Sequence, residues 1–307
     1  MPIGCEGSTP FRGTNKMTDK IKIENIEEQK PVKKSALRVI IHSFFVVPFL
    51  IAIFAVIVFL MVKVLTVEPN TAQDYLEHVK IGGTTKRWQG AFELSKILSN
   101  PKMVPKDERF VQEMISTFEY SVHERNPLIR SYLALAMGRT GDERYISTLI
   151  NALQDKDYSI VASCAHSLGL IRSSDGFVAL QNMTDHEDAQ VRLQSIISLG
   201  NYRKIEAEDI FVSALADQEV NIRWDAAVAL AKIKNNRGSM ILLDLLDRNY
   251  LDSFPNIDPL EQDQAMLVAI QVIPNIIDAE FESMLRNLRD NDRSMKVREA
   301  ARRALNE

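Results

Sequence analysis

Cysteine is nearly missing: Cys5 and Cys164 are the only two in 307 residues. A disulfide-stapled fold is excluded, and because the two would fall on opposite sides of the apolar run described below, no intramolecular bridge is expected. Also missing are the short patterns that carry enzyme chemistry. There is no His-Glu-x-x-His, no paired Cys-x-x-Cys, no glycine-rich phosphate loop and no Gly-x-Ser-x-Gly. The sequence therefore points to no catalytic residue, no cofactor and no metal, and to a protein that is not an enzyme. A basic excess is absent too. Asp and Glu number 41 against 37 Lys and Arg, and residues 1–65 hold nine basic against five acidic side chains, which leaves the remainder about eight negative. A domain of that charge is a poor partner for nucleic-acid phosphates.

Charge disappears altogether from Val39 to Val62, where only His42 and Ser43 are polar. A run of that length crosses a bilayer with some tilt, and Pro48 is tolerable inside a membrane span. The run leaves through Lys63 and Val64 toward Glu68-Pro69 without a small-residue cleavage site, and Cys5 lies too far upstream to be a lipoprotein cysteine. An uncleaved single-pass transmembrane helix over 39–65 is expected. Lys30, Lys33, Lys34 and Arg38 flank it on one side against Lys63 on the other, which predicts a cytoplasmic N-terminus and an extracytoplasmic C-terminal domain. Residues 1–38 read as a disordered tail of mixed charge, with Met17 as an alternative start. Residues 66–83 read as a linker with a short helix, Thr71 to Lys80, stopped by Gly82-Gly83.

From Asn126 to about Asp247 one pattern recurs every 31 residues. Ile129-Arg130, Ile160-Val161, Val191-Arg192 and Ile222-Arg223 are each followed by a small or apolar pair and then by Met137-Gly138, Leu168-Gly169, Leu199-Gly200 and Leu230-Ala231. A fixed period in this range marks stacked supersecondary units. Within a unit the apolar positions trace one face of a helix, and small residues let a neighbouring helix come close. Four residues before the Arg position stand Asn126, Asp157, Asp188 and Glu219 as N-caps, Glu219 the weakest of them. A second apolar-periodic segment follows each time, for example Ile210-Phe211 with Leu215. Neither helix of a pair buries its face alone, so the pairs must stack.

These residues resemble the HEAT-like repeat family in its short, phycobilin-lyase-type form. The matching features are the Val/Ile-Arg pair, the small pair, the Leu-Gly ending and the closing aspartates Asp155, Asp185, Asp217 and Asp247. The resemblance covers residues 84–307 and implies an all-α fold, an α-solenoid of stacked helical pairs. It also implies that the arginines at the repeat position (Arg87, Arg130, Arg192, Arg223 and Arg298) tie adjacent units, to aspartates such as Asp155, Asp185 and Asp217, rather than forming an anion-binding ladder. The first unit, around Arg87, is stretched by Ser99 to Asp107. A second interruption, Asn249 to Pro259, precedes a helix aligned with Ala265 in the Arg position.

Functional candidates are few. Asp185-His186-Glu187-Asp188 is the nearest approach to a metal cluster but sits where capping carboxylates belong. Cys164 reads as a small buried residue and His166 as a packing histidine. In the second interruption Tyr250, Leu251, Phe254 and Ile257 could anchor a partner, if the loop does not fold onto its own solenoid. The second helices offer another surface through Glu143, Asn151, Gln154, Gln181, Asn182, Ser213 and Asp244. The expectation is a membrane-anchored protein-protein interaction scaffold whose partner is a membrane or envelope protein, with no nucleic acid. Rival readings are a chromophore or prosthetic-group lyase, which the resemblance allows, and a cytoplasm-facing regulatory subunit of a membrane complex.

Overall fold

The computed structural model describes residues 42–65, 71–255 and 257–306. The tail expected over 1–38, Cys5, the flanking basic residues of that tail and the linker 66–70 lie outside the described residues. The chain divides into two units, Met1–Val67 and Glu68–Glu307. In the first, a π-helical turn His42–Val46 leads into helix α1 (Val47–Leu65). Phe44–Lys63 is the one described helix long and apolar enough to cross a membrane, and its apolar side chains are exposed throughout.

Every regular element described in the second unit is helical. Helix α2 (Ala72–Ile81) opens on a capping box in which Thr71 and Asp74 satisfy each other's backbone N–H groups. It packs on α3 (Thr84–Ile97), and α4 (Glu108–Tyr120) completes this first pair. Between α3 and α4 the stretched segment holds only a single 3-10 turn, Pro101–Met103. The periodic units then follow. Their first helices are α5 (Pro127–Thr140), α7 (Tyr158–Ile171), α9 (Ala189–Tyr202) and α11 (Val220–Lys232). Their second helices are shorter: α6 (Ile146–Asn151), α8 (Ser174–Gln181), α10 (Glu208–Ala214) and α12 (Ser239–Leu245).

Small residues set the stacking. A Cβ added to Gly138 would meet Ser167 Cβ at 2.5 Å, one added to Gly169 would meet Ser198 Cβ at 2.5 Å, and one added to Gly200 would meet Ala229 Cβ at 3.1 Å. Each contact joins the last turns of two successive first helices, so these helices run parallel, in register, as one layer. Buried side chains fill the space between layers. Helix α11 faces both ways, with Ala226, Ala229 and Leu230 in the N-terminal core and Trp224, Ala227 and Ala231 in the C-terminal one. Cap chemistry follows residue type. Asn126, Asp157 and Asp188 accept from the backbone N–H groups of Leu128, Ser159 and Val191, whereas Glu219 makes no side-chain cap.

Beyond α12 the structure departs from the expected register. Asn249 to Pro259 is not a plain loop: Arg248–Asp252 forms a short helix, α13, and α14 (Pro259–Val272) starts at once after the cap Asp258. Four residues past that cap, where the other units hold Arg or Val, stands Gln262. It is buried, and its Nε2 donates to the Leu251 carbonyl at 3.0 Å. Ala265, aligned there from sequence, lies a turn further on. Helices α15 (Ala279–Asn291) and α16 (Met295–Ala304) complete the described stack.

Candidate functional site

Because the first helices are parallel, their N-termini share one edge of the stack and their C-termini the other. The repeat arginines lie along the N-terminal edge, and the structure binds them into the turns between units. Arg130 Nε donates to Asp155 Oδ2 at 2.9 Å and Arg192 Nε to Asp217 Oδ2 at 2.9 Å. Arg223 and Arg298 instead donate to the backbone carbonyls of Asp217 (2.7 Å) and Asp292 (2.5 Å). Arg87 donates to the Val79 carbonyl at 2.7 Å and pairs with Glu124 at 2.6 Å. Each acceptor aspartate also closes its own turn, since the Asp155, Asp217 and Asp292 carboxylates accept from the N–H groups of Asp157, Glu219 and Ser294.

Asp217 is thus held by Arg192 on its carboxylate and by Arg223 on its carbonyl. Hydrogen bonding to Arg192 keeps its carboxyl below the usual carboxylate range. The same device recurs at the far end, where Arg248 grips both oxygens of the fully buried Asp292 carboxylate at 2.8 Å. Among the described residues Asp185 receives no arginine, and its unit carries Val161 at the Arg position. Open clefts of about 940 and 810 Å³ lie beside the Arg130 and Arg192 pairs, whose charged groups line them.

The inserted segment folds inward. Leu251 is fully buried, and Tyr250, Phe254 and Ile257 are partly buried against the C-terminal core. Phe254 stands edge-on to Trp224 at 5.6 Å and to Tyr250 at 5.1 Å, and Trp224 Nε1 donates to the Tyr250 hydroxyl at 3.3 Å. Leu251 is therefore a core side chain and offers nothing to a partner. The Asp185 to Asp188 segment serves its turn: His186 Nδ1 accepts from the Asp188 N–H, Asp188 caps Val191, and Glu187 accepts from the Tyr158 hydroxyl. No group of three metal-ligating side chains occurs among the described residues. Burial pushes the Cys164 thiol up to about 12. His166 is half-buried, with Nδ1 3.2 Å from Gln194 Nε2. Glu143, Asn151, Gln154, Asn182, Ser213 and Asp244 are exposed, and Gln181 is half-exposed.

The C-terminal edge is different, and sequence reasoning missed it. One residue at the exit of each first helix has left-handed backbone: Gly141 (φ 69°), Arg172 (61°) and Arg203 (54°) directly after theirs, and Lys234 (62°) one residue later, after Ile233. Glycine takes that conformation freely, while L side chains are strained in it. Three basic residues occupy it in consecutive units, each exposed. Lys232 lies beside them. Burial lowers its pKa first, and the like charges of Arg203 and Arg172 lower it further, against the opposing pull of Asp225. Its Nζ meets Asn201 Oδ1 at 3.5 Å. Burial in turn raises Asp225 to about 6. Lys204 Nζ sits 4.6 Å over the Phe177 ring. The signal was available, because positions 141, 172, 203 and 234 keep the same 31-residue step as the arginines.

With this geometry in view, comparison with known proteins concerns the repeat itself. A model for HEAT repeats matches residues 178–252, and one for the PBS lyase HEAT-like repeat matches residues 129–155. No curated protein matches the chain. Among solved structures, the complex of CpcE and CpcF of phycocyanin lyase from Nostoc sp. PCC7120 is similar, at 18% identity over 78% of this chain and 94% of that one, with a TM-score of 0.50. An engineered protein aligns at 16% identity over 76% of this chain and 95% of its own, TM-score 0.40. Human deoxyhypusine hydroxylase in complex with glycerol aligns at 14% identity over 71% and 96%, TM-score 0.29. Residues 129–155 and 178–252 are therefore HEAT-like repeats, set in an all-α stack with the fold of the Nostoc protein.

Proposed function

We propose that this chain is a membrane-anchored, non-catalytic scaffold that binds a protein partner through its HEAT-like stack. The observation that carries the reading is the C-terminal edge, where charged side chains recur at fixed spacing and are not consumed by the fold. Support for the anchor comes from Phe44–Lys63, an apolar helix of bilayer length with no buried face. The basic residues before it favour a cytoplasmic N-terminus with the stack on the other side, and a membrane or envelope protein as partner. The similar Nostoc structure is itself a complex of two proteins.

The test is affinity purification of the full chain from detergent-solubilised membranes, with mass spectrometry and an absorption spectrum of the eluate. A protein in stoichiometric amount and a colourless eluate are expected. A coloured adduct without a protein would replace this reading with a prosthetic-group lyase, the alternative that the phycobilisome-lyase-type match over residues 129–155 favours. A reporter fused after Glu307 should be active only outside the cytoplasm. Activity inside would turn the protein into a cytoplasm-facing regulatory subunit.

A further inference from the structure

We propose that the C-terminal edge of the first helices is a docking strip for an extended acidic segment of the protein partner, with its carboxylates set against Arg172, Arg203 and Lys234. The helix dipole explains a cation somewhere in the last turn of a helix. It does not explain why the cation occupies the left-handed residue, where Gly141 shows the unstrained solution one unit earlier. A cation on that residue is held outside the helix, at the tip of the turn, and the arrangement repeats in three consecutive units.

The charges there are free to act. Among the described residues, no carboxylate lies within ion-pair distance of Arg172, Arg203, Lys234 or Lys232; the Lys232 amine meets the Asn201 amide and feels Asp225 only beyond that distance. The contrast with the opposite edge is direct, since there the guanidinium groups of Arg130 and Arg192 are both bound to aspartate.

Spacing selects the ligand. Stacked helices lie about 8–10 Å apart, and a segment in the polyproline II conformation advances about 3.1 Å per residue with three residues per turn, so an acid at every third residue keeps step with the strip on one face of the segment. Exposed apolar side chains follow two of these cations in sequence, Ile205 in the turn after α9 and Met240 in the first turn of α12, exposed by 59% and 72%. They would receive apolar residues of the segment between its acids. A nucleic acid has no such residues, and it would meet the net negative charge of the domain at every other face.

The inference rests on the protein-binding reading, and its test separates the two. The full chain in nonionic detergent is titrated into a fluorescein-labelled peptide of Glu-Ser-Leu repeats, about fifteen residues long to cover the strip. Saturable binding that weakens with added KCl is expected. The triple variant Arg172→Gly, Arg203→Gly, Lys234→Gly should bind about tenfold more weakly, as loss of several exposed ion pairs implies. Its Tm should hold or rise, because glycine relieves the backbone. The inference is overturned by no binding to the wild type, by equal binding to the variant, or by a lowered Tm in the variant. Tighter binding to phosphatidylserine vesicles or to a single-stranded oligonucleotide, or salt-sensitive self-association of the chain, would overturn it too. In parallel purifications, a partner that the triple variant retains refutes the strip but keeps the scaffold. A wild type that retains no partner refutes the scaffold.

Discussion

The two edges of the stack both carry charge, and they use it differently. Parallel first helices put their positive dipole ends on one edge and their negative ends on the other, which favours carboxylates at the first and cations at the second. On the N-terminal edge the carboxylates are engaged: Asp157 and Asp188 cap helices, Asp155 and Asp217 close turns, and arginines cross from unit to unit to hold them. On the C-terminal edge Arg172, Arg203 and Lys234 meet no carboxylate among the described residues and sit in strained backbone. One edge is fastened and the other is left open. Charge alone does not distinguish structure from recognition; what the charge touches does.

The largest expected effect falls on the fastened edge. Asp292→Ala leaves the largely buried Arg248 guanidinium without its two 2.8 Å hydrogen bonds and the Ser294 N–H without its acceptor. Arg248 keeps Asp263 at 2.7 Å, so the loss falls at the low end for a broken buried pair, about 3 kcal/mol. Arg192→Ala should cost less, about 2 kcal/mol, since Arg192 and Asp217 keep side-chain exposures of 17% and 14%. Urea unfolding measures both. The Arg192 variant should also lose part of its acid sensitivity. Asp217 is held below its ordinary range, so the pair contributes stability above about pH 4, and that stability is lost as pH falls through the lower folded value.

A smaller effect belongs to the face between the edges. Burial raises Asp225 to about 6. Between the unfolded value, about 4, and 6 the native state therefore binds more protons than the unfolded one, and stability falls as pH rises through that window. Asp225→Asn should flatten the fall and gain about 1 kcal/mol at neutral pH, a figure reduced for partial exposure and for the nearby Lys232. Unfolding midpoints across pH 4 to 8 check it, and an unchanged slope would show that Asp225 is solvated in the native state.

Much of the fastened edge was legible because its signals are local and periodic. The 31-residue step, the caps at Asn126, Asp157 and Asp188 and the weak cap at Glu219 follow from residue type at fixed offsets, whereas aspartate partners for the arginines were implied only by the family resemblance. Gln262 was not legible. The inserted segment breaks the count, and a buried glutamine that donates to a carbonyl does not look like the arginine it replaces. Nor could the fate of Tyr250, Leu251 and Phe254 be read, because it depends on the Trp224 ring offered by a neighbouring unit. The open edge hid in plain charge. Arg172, Arg203 and Lys234 belong to no motif, and their shared place shows only in the backbone conformation they have in common with Gly141.

The central claim is that one edge holds the stack together and the other is open, and parallel thermal melts test it most directly. The account predicts that Arg192→Ala lowers Tm, while Arg172→Gly, Arg203→Gly and Lys234→Gly together leave it unchanged or raise it, by up to about 1 kcal/mol of stability at each relieved position. A comparable loss in both variants would contradict it, because both edges would then be structural.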